Sequence, residues 1–252
     1  MYYSALKNNK GFTLVELSIV IVLIGLIIAG VVGGQSLIQQ GKIRSQISEF
    51  QKYQVAFNTF RLEYNAVPGD LDRASQYWSG VLNGDGNRRI TGDADMAHGA
   101  REQIRFFEHL SRAGLIPGNF TRVWEMNTGY PELKMVSGKG MIAASFVRGS
   151  GDLDDHQLSV AEGTRLYTAA LFLNVANPQL AGSSYNQGPG IASPVTFHSI
   201  DTKIDDGIAV QGTFKSYRPW RYTVNDCLTG IDGDYLLSND EIACMAMYVL
   251  AK

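Results

Sequence analysis

From Leu17 to Gly41 the chain carries no charged residue, and most positions up to Ile38 are Leu, Ile, Val, Ala or Gly. That absence leaves little room for a water-facing helix. At ~1.5 Å per residue, ~20 apolar residues match the ~30 Å hydrocarbon core of a bilayer. Positive charge is in no surplus either, with 22 Lys and Arg against 24 Asp and Glu and a net charge of −2. No basic patch suggests strong binding to phosphate backbones, so nucleic acid is not an expected partner. Catalytic signatures are missing too. The four histidines, His98, His109, His156 and His198, are scattered without H-E-x-x-H spacing, and there is no G-x-S-x-G elbow, P-loop or G-x-G-x-x-G. An enzyme should show convergent catalytic residues, and none are visible. Cysteine is scarce, with Cys227 and Cys244 alone, both near the C-terminus. No internal repeat is present.

What is there begins with a short leader carrying Lys7 and Lys10, followed by Gly11, Phe12 and the lone carboxylate Glu16 at the edge of the apolar run. A carboxylate in that place is expensive and marks function. The basic leader favours a cytoplasmic N-terminus, which sends the rest outward. A cleaved secretory signal is the competing reading. Against it, no A-x-A-like site closes the run, which continues as Gly33-Gly34-Gln35-Ser36-Leu37-Ile38 and is longer than a typical signal core.

The string Lys10-Gly11-Phe12-Thr13-Leu14-Val15-Glu16 resembles the class III signal of type IV pilins and type II secretion pseudopilins. The resemblance implies cleavage between Gly11 and Phe12 by a prepilin peptidase, which also methylates the new N-terminus. It further implies that Glu16 pairs with the terminal amine during assembly. One departure is visible: many members carry a Pro about twenty residues past the cut, where this chain has Gly33-Gly34.

Beyond the apolar run Ile43, Ile47, Phe50, Tyr53, Phe57, Phe60 and Tyr64 recur at three- and four-residue steps, a stripe on one helical face. One helix from about Phe12 to Tyr64 is expected, weakened by Gly25, Gly30, Gly33, Gly34 and Gly41. Gly30 and Gly34 read either as a packing face or, as Gly33-Gly34, as a place where the helix loosens in a fibre. Residues 70–99 read as a long irregular loop. A second helix is expected over Ala100–Ala113, stopped by Gly114, and one helical turn over Pro194–Asp201. Strands are expected at Leu133–Ser137, Gly140–Val147, Arg165–Leu173, Thr213–Tyr217 and Met245–Leu250, with Leu166–Asn174 alternatively helical. Residues 177–194 read as a surface loop. The expected fold class is α+β, a long N-terminal membrane-spanning spine helix packed on an antiparallel sheet, pilin-like by the resemblance. Its parts are a leader at 1–11, a transmembrane half-helix at 12–36 and a periplasmic or extracellular globular domain at 37–252. Residues 1–36 contribute Lys7, Lys10 and Glu16, which leaves 20 basic and 23 acidic residues for that domain.

In an exported domain Cys227 and Cys244 read as a disulfide, with two buried thiols as the alternative. Type IV pilins are similar in closing a C-terminal loop this way. No cofactor is expected, and calcium is the one candidate ion. Asn83-Gly84-Asp85-Gly86-Asn87, followed by Asp93 and Asp95, alternates oxygen ligands, but Arg88 and Ala94 stand where an EF-hand needs Gly and Glu. The pairs Asp205-Asp206 and Asp232/Asp234 are the better metal candidates. Asp152, Asp154, Asp155 and His156, after Gly149-Ser150-Gly151, read as a solvated loop, and Trp78, Trp124 and Trp220 as core or loop anchors.

The resemblance makes the chain a filament subunit rather than an enzyme, held in the inner membrane by a single helix until it is assembled. Its implied partners are the prepilin peptidase, other pilin or pseudopilin subunits and an inner-membrane assembly platform. Cleavage at Gly11 would leave 241 of 252 residues, a size that tilts toward a minor subunit of a type IV pilus or related filament. The alternatives are a pseudopilin of type II secretion and, from another class, a membrane-anchored adhesin or enzyme.

Overall fold

A computed structural model of the chain describes residues 11–90, 102–123, 125–146, 167–175, 190–217, 227–230 and 233–251. Most of the leader, Asp93, Ala94, Asp95, His98, Trp124, residues 152–156 and 177–189, Trp220 and Asp232 lie outside them. The elements in chain order are α1 (Leu14–Tyr64), α2 (Ala74–Tyr77), α3 (Glu102–Arg112), β1 (Gly140–Phe146), β2 (Tyr167–Val175), α4 (Pro194–Ile204), β3 (Phe214–Tyr217) and β4 (Met245–Ala251).

The chain divides into two compact units, Met1–Lys42 and Ile43–Lys252. In the first, the described residues form the start of α1, whose large apolar side chains from Phe12 to Ile38 are all exposed. By length and composition α1 is able to cross a bilayer once. The five glycines from Gly25 to Gly41 do not interrupt it, because each costs only ~1 kcal/mol against Ala.

In the second unit α1 buries Ile43, Gln46, Phe50, Tyr53, Ala56, Phe57, Phe60 and Tyr64, the spacing of a single helical face. Phe50 stacks on Tyr248 of β4 at 4.9 Å and lies 6.1 Å from Phe214 of β3. Further along, Tyr53 meets Phe107 edge-on at 5.6 Å, and Phe57 and Phe60 stack on Phe106 and His109 of α3. The same helix therefore carries the sheet on one stretch and α3 on the next. It ends at Asn65, whose φ of 49° breaks the helical path. There the Arg73 guanidinium donates to the Tyr64 carbonyl at 2.9 Å, satisfying one of the orphan carbonyls of the last turn.

The four strands form one antiparallel sheet in the order β1-β2-β4-β3. Phe172 and Lys215 both pair with Met247, so β4 is an inner strand although it comes last in the chain. All six residues from Met245 to Leu250 are buried. Pairing on both edges leaves their backbone groups satisfied, and a run buried on both faces reads as continuous apolar sequence.

Three local expectations need correction. Leu133–Ser137 is not a strand. Its N–H groups go elsewhere: Lys134 and Met135 donate to the buried side-chain carbonyl of Gln46 at 2.7 and 3.4 Å, and Leu133 donates to the Lys139 carbonyl at 2.7 Å. The single turn at Pro194–Asp201 is an eleven-residue helix, with Ser193 accepting from the Thr196 N–H and Pro194 in the first turn. The loop after Asp70 contains a helical turn, α2. The ambiguous stretch Leu166–Asn174 resolves as strand β2, its described residues being Tyr167–Val175.

Cys227 and Cys244 form a disulfide with a Cα–Cα distance of 5.0 Å. Cys244 stands just before β4 and exchanges backbone bonds with Ile191 and Ala192. Closing a loop of this length contributes roughly 3 kcal/mol in the chain-entropy picture. Substituting both cysteines by serine should lower the melting temperature accordingly, and non-reducing peptide mapping should find the pair joined. Two freely alkylated thiols in the native protein would contradict the bond.

Candidate functional site

The start of α1 is built by four residues. Thr13 occupies the N-cap position, and its Oγ1 accepts the Glu16 N–H at 3.2 Å. The Glu16 carboxylate returns the contact, accepting the Thr13 N–H and hydroxyl at 2.8 Å each. This is a reciprocal capping box, satisfying two of the donors that a helix start leaves orphaned. Glu16 thus sits in the first turn, where a negative charge complements the helix dipole. Gly11 and Phe12 lie immediately ahead, both exposed and outside regular structure, with Phe12 at 92% exposure. An exposed Gly11–Phe12 bond outside regular structure, next to a capped helix, suits a peptidase, which must draw backbone into its own site. Reading Glu16 only as an assembly residue misses its cap, although the Thr-x-x-Glu spacing is present in the sequence.

Among the described residues, two acidic groups have carboxylate oxygens within 4.8 Å of one another: Asp70, Asp85 and Glu102, and Asp201, Asp205 and Asp206. Asp70 is 1% exposed. Its Oδ1 accepts the N–H groups of Gly86 and Asn87 at 2.8 and 3.2 Å, and its Oδ2 that of Arg88 at 2.6 Å. Burial pushes this carboxyl up to about 7, with Asp85 and Glu102 adding to the shift and the Arg88 and Gly86 N–H groups opposing it. The Asp85 carboxylate accepts from the N–H and the amide of Asn87. The 83–88 stretch therefore wraps donors around an anion instead of pointing its oxygens at a cation. Next to it, His109 Nδ1 accepts the Gly69 N–H at 2.9 Å, with burial holding its pKa down at about 4. Its role is a neutral strut between α3 and the turn that carries Asp70.

The second cluster lies at the C-terminal end of α4. Asp205 Oδ2 accepts the N–H groups of Thr213 and Phe214, and Asp206 Oδ1 accepts that of Ile208 at 2.8 Å. The structure brings these two sequence candidates together with Asp201, which sequence reasoning passed over. The signal was available, since Asp201 precedes Asp205 and Asp206 by four and five residues, about one helical turn. Asp234 belongs to neither cluster and is exposed, while its partner in the expected pair, Asp232, lies outside the described residues.

Comparison with known proteins finds one family, the prokaryotic N-terminal methylation motif, matching residues 6–32. No curated protein and no solved structure matches the chain. The matched segment begins in the leader, includes Gly11, Phe12, Thr13 and Glu16 and runs into the apolar part of α1. The remainder of the chain is α+β, with an antiparallel sheet beside the spine helix. The chain therefore carries the prepilin-type processing and methylation signal of the type IV pilins and pseudopilins.

Proposed function

We propose that this chain is a structural subunit, pilin-like and minor, of a type IV pilus or related filament. It would be processed by prepilin peptidase on the cytoplasmic side and drawn into the filament by an inner-membrane assembly platform. The observation that carries the reading is the continuity of the methylation motif at residues 6–32 with a helix whose apolar side chains from Phe12 to Ile38 all face outward. Such a surface is stable in lipid, or against the same surface of neighbouring subunits, and in neither case in water. The second unit is a folded, disulfide-bonded body. The leader lysines favour a cytoplasmic N-terminus, which would put the disulfide in an oxidising compartment.

The test is the mature N-terminus. Protein purified from its native host should begin with N-methylated Phe12, as read by mass spectrometry of the N-terminal peptide. Gly11→Val, which places a branched side chain before the cut, should trap the precursor. An intact Met1 start, or a cut near Gly34, would overturn the reading. Co-purification with secretion-system subunits, with no surface filament, would reassign the chain to a type II secretion pseudopilus.

A further inference from the structure

We propose that the C-terminal end of α4 is a binding site for a hard divalent cation, calcium in the first place, with the buried Asp201 as its anchoring ligand. Asp201 is fully buried, at 0% exposure. One of its oxygens, Oδ2, accepts the Tyr235 hydroxyl at 2.8 Å, and that hydroxyl is also 2.9 Å from Ser216 Oγ. The other, Oδ1, is buried without a hydrogen-bond partner. The Gly207 N–H is near enough to favour the charged carboxylate without completing a bond to it. A buried carboxylate oxygen left unmatched is costly, and in native structures it calls for an ion or a water.

Its surroundings identify the missing partner as a cation. One oxygen each from Asp201, Asp205 and Asp206 lie within 4.8 Å of one another. The last carbonyls of α4 add partial negative charge at the same end. The basic residue in the last turn, Lys203, is committed elsewhere, its Nζ donating to the carbonyl and hydroxyl of Ser199 at 3.0 and 2.7 Å. A bound cation would supply the absent countercharge. All the ligand atoms offered are oxygens, which selects calcium, magnesium or manganese over the softer metals. Three carboxylates from the last turn of α4 and the residues just after it, completed by water, suit calcium's irregular shell better than magnesium's strict octahedron.

The first cluster makes a useful contrast. There both Asp70 oxygens are taken by backbone N–H groups, so that arrangement is internally satisfied. At Asp201 the bonds instead reach outward, to Tyr235 in the loop closed by Cys227–Cys244 and, through Asp205, to the start of β3. A cation here would tie α4, β3 and the disulfide loop at a single point.

The experiment uses the full chain in detergent, comparing thermal unfolding in chelator, in millimolar calcium and in sodium chloride of matched ionic strength. Calcium should raise the melting temperature by several degrees, since a ligand that binds only the folded state stabilises it. Terbium added in place of calcium should luminesce on excitation of the adjacent Tyr235. Asp201→Asn keeps a carbonyl for the Tyr235 hydroxyl and should abolish both responses. Asp206→Asn, on an exposed side chain, should weaken both without touching the core, and Asp85→Asn, in the other cluster, should leave them unchanged. A calcium response no larger than that of sodium chloride would overturn the proposal, as would one that survives Asp201→Asn and Asp206→Asn or disappears in Asp85→Asn.

Discussion

Glu16→Ala should leave a processed, membrane-resident subunit and few or no filaments. With the leader removed, Phe12 would carry a protonated, methylated amine four residues before Glu16, about one helical turn away. The pair would lie at one membrane depth and on one face. An ion pair in low dielectric is strong only with both partners present, and an unpaired charge there is costly. Apolar helices facing one another through Leu, Ile and Val slide with little penalty. A single charge pair between subunits would therefore fix their axial register. The capping box adds a second contribution that must be separated from the first. Losing the Glu16 contacts to Thr13 should fray the first turn at a cost of ~1 kcal/mol, yet the folded body begins only at Ile43 and should be untouched. Glu16→Gln makes the distinction, because it retains an acceptor for Thr13 but no charge. If charge sets the register, Gln should fail as Ala does; if the cap is what matters, Gln should restore filaments. Sheared filament yield and membrane fractionation read both outcomes, and wild-type yield from Glu16→Ala would remove the register role.

The second large effect is expected at Gly84. A Cβ at this position would lie 2.2–2.5 Å from the Cα, carbonyl carbon and carbonyl oxygen of Asp70. Those atoms are backbone and cannot swing aside as a long side chain would. Gly69, on the same turn, has a φ of 91°, and a Cβ there would meet the Glu102 carbonyl at 2.4 Å. The two glycines let three segments approach closely enough for Asp70 to collect the N–H groups of Gly86, Asn87 and Arg88. Gly84→Ala should separate them and leave a buried carboxylate without its donors. The expected loss is on the order of 3 kcal/mol or more, which for a unit of this size lowers the melting temperature by roughly 6–12 °C. Thermal unfolding followed by circular dichroism measures it. A variant that melts with the wild type would show that the 81–88 segment is held only loosely.

The long helix and the sheet were legible because their signals are local and repeated. The apolar run and the stripe from Ile43 to Tyr64 each contain several turns of a single periodicity, and β4 is a continuous apolar segment. What escaped depends on partners distant in sequence. Gln46 looks like any polar helix residue, yet it is fully buried because its side chain bonds the backbone 88 residues further on. That bond also turns Leu133–Ser137 from a plausible strand into a loop. Glu102, Arg105 and Glu108 are charged residues of α3, but they too are buried, with Glu108 3.9 Å from Arg122. At the helix start the residues of the signal were readable from type and order, while the reciprocal bond between Thr13 and Glu16 needed geometry. Asp205 and Asp206 find their third member one helical turn back in α4, not in the later loop with Asp234.

The position of β4 bears on how the domain is made. The strand that joins β2 to β3 follows both of them in the chain, so β2 and β3 are synthesised before the strand that pairs with them. Until it arrives, β3 has no neighbour in the sheet, Phe50 lacks Tyr248 to stack on, and Cys227 waits for Cys244. The sheet is thereby closed only once β4 is available. A chain truncated before Met245 would keep α1 but lack the keystone of its sheet, so it should be protease-sensitive where the whole domain is not.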